Sequence, residues 1–421
     1  LEPHPHPMAL IGLNLLLLAW LMGRLTRDAL HPAVGFPAVW GTVLLLIAAV
    51  QAWGYHSVAA AALLLYLAGA ACFALGAWQG AAAVPARAPA AALAPAFWPR
   101  LAWLCLGLHT VGLPLAWAEM QAIGAMGGGG DLLALAFQLR VQAVSGEGTL
   151  GPLAGNYLVL GLILVPMLAL GALHKALSWV LVALLALPWV AGNLLANGRA
   201  PLVLLVLVLL YLRLLQPERL RLRGLLALLG IGLALFAAGA VLVGKEGIDL
   251  AGDPADIAAL VGKNLADYLL QGPILFSAWW EQPQLLVPSW DPLRVPCLAL
   301  QSWGLCEPGP LHQEYLPFGA GERMGNVYSI YFSWLPGYGW AGALAGLWAY
   351  GLWAGQHHQR ARQGGSLLQQ LLAANLAAAV VLSVFLDNFL PQLNFLAKLA
   401  LVAWGLPLLL GGGKQERPCP A

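Results

Sequence analysis

Apolar residues run through this chain in long unbroken blocks rather than in stripes. Eleven blocks stand out, at about 9–23, 34–52, 57–79, 101–120, 151–172, 176–193, 200–215, 224–244, 327–355, 366–386 and 390–411. Most approach the ~20 residues that a helix needs to cross the hydrocarbon core of a bilayer. Backbone polar groups find no water inside lipid, so each run is expected to be a helix. A membrane β-barrel would need alternating segments of about ten residues, and these runs are continuous. The seventh block is short and the ninth carries Pro336, Gly337 and Gly339, which softens the edges of both. The pattern predicts an all-α polytopic membrane protein with about 11 transmembrane helices.

Composition narrows the class further. Of 421 residues, 61% are hydrophobic and 9% charged, where soluble domains carry about a quarter charged. That excludes a soluble globular protein and an intrinsically disordered one. A net charge of +2 with no long basic stripe excludes a nucleic-acid binder. Residues 1–7, Leu-Glu-Pro-His-Pro-His-Pro, read as a tag remnant. Arg24 and Arg27 follow the first apolar run where a cleavable signal would have small residues, so none is expected.

Lysine and arginine set the orientation. With the Arg213–Arg223 loop inside, alternation over eleven spans puts Arg24, Arg27, Arg87, Arg100, Lys175, Arg360, Arg362, Lys414 and Arg417 on the same side. Arg140, Arg199, Lys245, Lys263, Arg294 and Arg323 then lie outside, and Lys398 falls within the last span. The chain divides into helices one to eight (8–244), a large outer loop (245–325), helices nine to eleven (326–411) and an inner tail (412–421). A smaller outer loop covers about 121–150. Sites concentrate on loops carried by rigid scaffolds, so the outer loops are where function is sought.

In the smaller loop, Gly127–Gly130 form a flexible hinge and Asp131 can cap a short helix that delivers Arg140. The plainer reading of Arg140 is a snorkelling surface arginine. In the larger loop, Asp253-Pro254 predicts an N-cap and first helical position. Ile257, Leu260, Val261, Leu265, Tyr268 and Leu269 continue at helical spacing, and Gly272-Pro273 is expected to end the helix. It reads as an amphipathic helix on the outer membrane surface, or as a packing helix within the loop. Trp279, Trp280, Trp290 and Trp303 follow, suited to interfacial anchoring or to stacking on sugar rings. Cys297 and Cys306, with eight residues between them, can form a disulfide if the outside is oxidising. Cys72, Cys105 and Cys419 read as unpaired thiols. No Cys/His spacing suggests a metal site.

Arg199 is the most informative cation. The run Asn197-Gly198-Arg199-Ala200-Pro201 places a guanidinium beside the free N–H groups of a helix start, which suits a diphosphate. His312, Glu314, Tyr315, Glu322 and Arg323 cluster before block nine, either as a base beside an anion site or as an ordinary charged loop end. Asp387-Asn388 sits in the last outer turn. Lys398 is costly in a membrane helix unless paired or facing a polar cavity. If Arg140, Arg199 and Arg323 converge, they form a cationic pocket suited to a lipid-linked diphosphate.

Four stretches resemble bacterial O-antigen polymerases of the Wzy type, the oligosaccharide repeat-unit polymerases. They are Leu30-His31-Pro32 leading to Trp40; Asn197-Gly198-Arg199-Ala200; Tyr268-Leu269-Leu270-Gln271-Gly272-Pro273; and Gly325-Asn326-Val327-Tyr328 followed by Gly337-Tyr338-Gly339-Trp340-Ala341-Gly342. The family often has an acid before the glycine of the last motif, where this chain has Pro336, so no acid is assigned there. The resemblance implies a GT-C-like, metal-independent glycosyltransferase of the bacterial inner membrane, related to O-antigen ligases and working at the periplasmic face. Its donor and acceptor would be undecaprenyl-diphosphate-linked oligosaccharides, with a chain-length regulator protein as a further partner and no cofactor. Arg140, Arg199 and Arg323 would hold the diphosphate, and His312 or Glu314 would act as base. Tyr268, Asn326, Tyr328 and Trp280 would contact substrate. The alternatives are an O-antigen ligase transferring glycan to lipid A core, or a lipid-linked sugar flippase or polysaccharide transporter. A flippase is disfavoured by nearly charge-free spans and by polar groups gathered at one face.

Overall fold

A computed structural model describes residues 6–125, 132–145, 150–196, 200–216, 222–242, 253–282, 291–307, 314–321 and 323–411. The described helices are α1 (His6–Thr26), α2 (Pro32–Val50), α3 (Ala60–Ala82), α4 (Phe97–Ala125), α5 (Leu132–Ser145), α6 (Pro152–Leu173), α7 (Trp179–Ala196), α8 (Ala200–Leu215), α9 (Leu222–Leu242), α10 (Pro254–Glu281), α11 (Arg294–Gln301), α12 (Ile330–Arg362), α13 (Leu367–Leu382) and α14 (Leu393–Leu409). Strands β1 (Leu316–Pro317) and β2 (Met324–Gly325) pair antiparallel, Leu316 opposite Gly325 and Pro317 opposite Met324. The protein is an all-α polytopic membrane protein. Each of the eleven apolar blocks contains a helix, and among the described residues seven helices are long and apolar enough to cross a membrane: α1 to α4, α6, α7 and α14 with its preceding turn. Many large apolar side chains, among them Leu17, Trp103, Leu184 and Leu187, point outward and stay exposed, as lipid-facing positions do.

The chain forms two compact units. The first contains residues 1–87, 265–363 and 375–396. Its tightest contact joins α3 to α12. A Cβ added to Gly76 or Gly80 would land on the carbonyl oxygens of Trp348 or Leu352, and one added to Gly351 or Gly355 on those of Phe73 or Ala77. With no hydrophobic drive between helices in lipid, such close backbone packing is what holds them together. Gly12 and Gly41 bring α1 against α2 in the same way. Aromatic rings fill the centre: Trp40 lies 4.6 Å from Tyr66 and 4.9 Å from Tyr331. Their polar atoms are bonded, as burial requires. Trp40 Nε1 donates to Ser383 Oγ at 3.0 Å, Tyr331 Oη to the Tyr66 carbonyl at 2.9 Å and Tyr66 Oη to the Pro273 carbonyl at 2.8 Å.

One expectation, the stop of α10, is corrected by the structure. Asp253 caps α10 as its sequence predicts, its carboxylate accepting from Ala255 N at 2.8 Å. The helix does not stop at Gly272-Pro273, however, but continues to Glu281. Tertiary packing outweighs the proline break: Gly272 has no side chain and lies against the Val384 carbonyl, while residues 270–277 are buried throughout. In block nine the helix likewise runs through Pro336 and Gly337, to Arg362. Its break comes at Gly339, whose φ of 62° and ψ of −167° leave the helical region, a conformation open to glycine alone at no steric cost.

The second unit contains residues 88–264, 364–374 and 397–421. His109 of α4 is gripped at both ring nitrogens, by Tyr157 Oη at 2.7 Å and the Leu185 carbonyl at 2.8 Å. The Glu119 carboxylate accepts from Ala154 N at 2.7 Å and so caps α6. Lys398, the lone cation of α14, donates to Asn156 Oδ1 at 2.8 Å.

Candidate functional site

At one end of the first unit several helix termini meet. Ala59 N, just before α3, donates to Ser277 Oγ of α10 at 2.7 Å. Ile330 N, which opens α12, donates to the Ser383 carbonyl after α13 at 2.9 Å. This is the end that the arginine pattern assigns to the outside. Over it folds the β1–β2 hairpin. The loop between its strands extends the pairing to the chain after α2: His56 N donates to the Phe318 carbonyl at 3.0 Å, and Ala320 N to the Gly54 carbonyl at 2.6 Å. Gly54 sits at φ 87°, in the left-handed region.

Arg323 lies at the centre of this arrangement. Its Nη1 donates to the Trp53 carbonyl at 2.6 Å. Its guanidinium carbon sits 4.4 Å from the centre of the Tyr55 ring, and its Nε is 3.6 Å from Asp267 Oδ1. Tyr55 Oη donates to that same carboxylate oxygen at 2.7 Å. Asp267 is almost fully buried and Arg323 partly so. The three residues form a closed set in which a buried carboxylate is both neutralised and hydrogen-bonded. An anion meeting Arg323 here would approach Nη2, which takes no part in the bonds among the described residues.

The other expected site residues fall as follows. Gly325 packs on α10 beside Gln271 and Leu275, so Asn326 and Tyr328 follow directly from a contact with the Tyr268–Pro273 stretch. Tyr328 is buried, stacked 4.7 Å from Phe332, and its hydroxyl donates to the Glu314 carbonyl at 3.0 Å. The Glu314 side chain is exposed. Tyr268 is half-buried and stacks on Phe385 at 5.4 Å. Trp280, also half-buried, meets Trp340 edge-on at 5.5 Å. Trp279 is a core residue against Phe332, neither an anchor nor a sugar platform. Asp387 is buried, accepting from Tyr350 Oη at 2.8 Å and Phe389 N at 2.9 Å. His312, Arg199, Asp131, Glu322 and Trp290 lie outside the described residues. Arg140 lies on α5, which runs on to Ser145, and its side chain is likewise outside them. Among the described residues no three His, Cys, Asp or Glu side chains group as a metal site would need.

The opposite end of the unit holds a second polar cluster. Asp28 Oδ2 contacts His358 Nε2 at 2.9 Å and Arg362 Nε at 3.1 Å. Burial pushes the Asp28 carboxyl up, but the His358 hydrogen bond and the charges of His358 and Arg362 outweigh it and hold it at about 2. His31 lies 5.2 Å from the His358 ring. Its Nδ1 accepts from Ala33 N at 3.1 Å and thereby caps α2. Burial, aided by the charge of His358 and opposed by Asp28, pulls His31 down to about 4.

Sequence reasoning named Arg323 but not Asp267, Tyr55 or Trp53. The one available signal was an acid directly before the Tyr268 stretch. Comparisons of the chain with family models, curated proteins and solved structures find no match.

Proposed function

We propose that this chain polymerises undecaprenyl-diphosphate-linked oligosaccharide repeat units into a surface polysaccharide, as a metal-independent GT-C-like glycosyltransferase of about eleven spans acting at the periplasmic face of the inner membrane. The observation that carries the reading is that three of the four resembling stretches, far apart in sequence, pack together in one unit. Trp40 of the first abuts Tyr331, which lies between the two halves of the fourth. Trp40 also abuts Tyr66, whose hydroxyl bonds Pro273 of the third. Gly325 of the fourth lies on Gln271 of the third.

In the proposed reaction an acceptor hydroxyl oxygen bonds to the anomeric carbon of the donor. The bond from that carbon to the phosphate oxygen breaks, and the lipid diphosphate leaves with the electron pair. Guanidinium groups placed where that charge develops lower the barrier. Arg199 and Arg140 are the first candidates for this role, and Arg323 is a separate one through Nη2, with Asp267 keeping the rest of its guanidinium in place. His312 or Glu314 accepts the proton of the acceptor hydroxyl. Tyr268, Asn326, Tyr328 and Trp280 line the approach of the glycan.

Purified protein given one lipid-linked repeat unit is expected to produce a polymer ladder, and Arg199→Ala to cut its rate by at least about 10²-fold, the scale of a lost oxyanion donor. Transfer only to lipid A core would make the enzyme a ligase. An undiminished ladder from Arg199→Ala would remove that arginine from the reaction.

A further inference from the structure

Away from the Arg323 cluster, the first unit carries a short covalently closed loop. Cys297, on α11, is bonded to Cys306, with their Cα atoms 5.8 Å apart. Residues 298–305, which the bond encloses, include no charged side chain. The backbone between them is fixed a second time. Gly304 adopts φ 69°, its N–H donates to the Gln301 carbonyl at 2.9 Å, and Leu305 N donates to the Leu300 carbonyl at 3.4 Å. That pair of bonds around a left-handed glycine is a Schellman cap.

A loop braced in this way would be expected to turn its apolar residues inward, but it does the reverse. Cys297 is buried, whereas Leu298 is 49% exposed, Trp303 73% and Leu305 66%. Contiguous exposed apolar surface marks a contact with something else. The fold indicates what. α11 packs against the Leu390–Gln392 turn, which leads straight into α14, one of the membrane-crossing helices. The loop therefore rides at the level where the chain enters the bilayer, on the side away from the arginine-rich loops. Tryptophan flanked by aliphatic side chains and free of charge suits that interfacial layer.

We propose that residues 297–306 form a preorganised apolar finger whose tip, Trp303 to Leu305, inserts into the headgroup–acyl boundary of the adjacent leaflet, the lipid surface being its partner. The disulfide and the cap fix the tip before it meets lipid, so insertion does not incur the loss of loop entropy.

The test uses the full-length protein in phosphatidylcholine nanodiscs, with a benzophenone amino acid replacing Trp303. A second sample carries it at Trp103, which is 72% exposed on the membrane-crossing helix α4. Illumination is expected to give a lipid-mass adduct at both positions. A lipid adduct at 103 with none at 303 overturns the proposal. So does crosslinking of position 303 to another protein in native membranes instead of to lipid. Brominated lipid supplies an independent readout without the unnatural residue. Quenching is expected to be smaller in Trp303→Phe than in the wild type, and equal quenching in the two overturns the proposal. The double variant Cys297→Ser, Cys306→Ser is expected to lower the adduct yield at 303 several-fold, and an unchanged yield removes the disulfide from the argument.

Discussion

His31 caps α2 with a lone pair that protonation would take away. The ring accepts from Ala33 N, and its folded value of about 4 lies below the ordinary 6.5. A group whose value falls on folding contributes stability that is complete above the unfolded value and is lost as pH drops through the folded one. For His31 that window is pH 6.5 down to 4, and the shift corresponds to roughly 3 kcal/mol. Asp28, lowered from 3.8 to about 2, acts in the same direction but only below pH 4. Asparagine also caps helices and does not titrate. The variant His31→Asn is therefore expected to flatten the loss of thermal stability between pH 7 and pH 4.5, measured in detergent against the wild type. An unchanged slope would assign it to other groups. Arg323 lends itself to a similar separation of roles. Arg323→Ala strands the Asp267 carboxylate and is expected to cost about 1–3 kcal/mol. Adding Asp267→Asn should restore most of the melting temperature. If Arg323 also acts on phosphate, polymer formation stays lost in the restored double variant, whereas a purely structural arginine would let activity return with stability. None of these partnerships could be read from the sequence, because no spacing rule connects residues 55, 267 and 323.

Among the elements, the helices were legible and their pairing was not. A continuous apolar run can satisfy its backbone in lipid only by coiling on itself, so each block predicted its own helix without reference to a neighbour. Ends were less secure where tertiary contacts decided them, as at Gly272-Pro273 and at Gly339. The α3–α12 contact left a signal of small residues four apart, Gly76 with Gly80 and Gly351 with Gly355. With 49 glycines in the chain, however, that spacing is too common to point to one pair. Their role is measurable. Gly355→Ala places a methyl on the Ala77 carbonyl, and overpacking of this kind costs about 1–3 kcal/mol. The control Gly405→Ala, in open space on α14, gains helix propensity and is expected to hold or raise the melting temperature. Equal effects of the two substitutions would show that backbone contact is not what binds α3 to α12.

For the whole molecule, the class came from composition, while the division into two units did not. Linear order suggests eight helices, a loop and three helices, yet the first unit draws on three separate lengths of chain, with residues 88–264 intervening. This interleaving has a consequence for how the protein is made. α3 leaves the ribosome roughly 270 residues before the glycine face of α12 that completes it. At synthesis rates of about 5–20 residues per second, the early helices wait in the bilayer for tens of seconds with that groove unfilled. Cys72 lies on α3, one turn from Gly69, against which the Tyr331 ring of α12 packs, and reports on the wait. In a background lacking Cys105 and Cys419, a membrane-permeant thiol reagent should label Cys72 faster in chains halted at residue 320 than in finished protein. Equal labelling would mean that the groove is filled by another part of the chain in the meantime. The glycine contact that fastens α3 to α12 is thus also a late assembly step, and a substitution there would be felt first as a newly inserted protein lost to quality control.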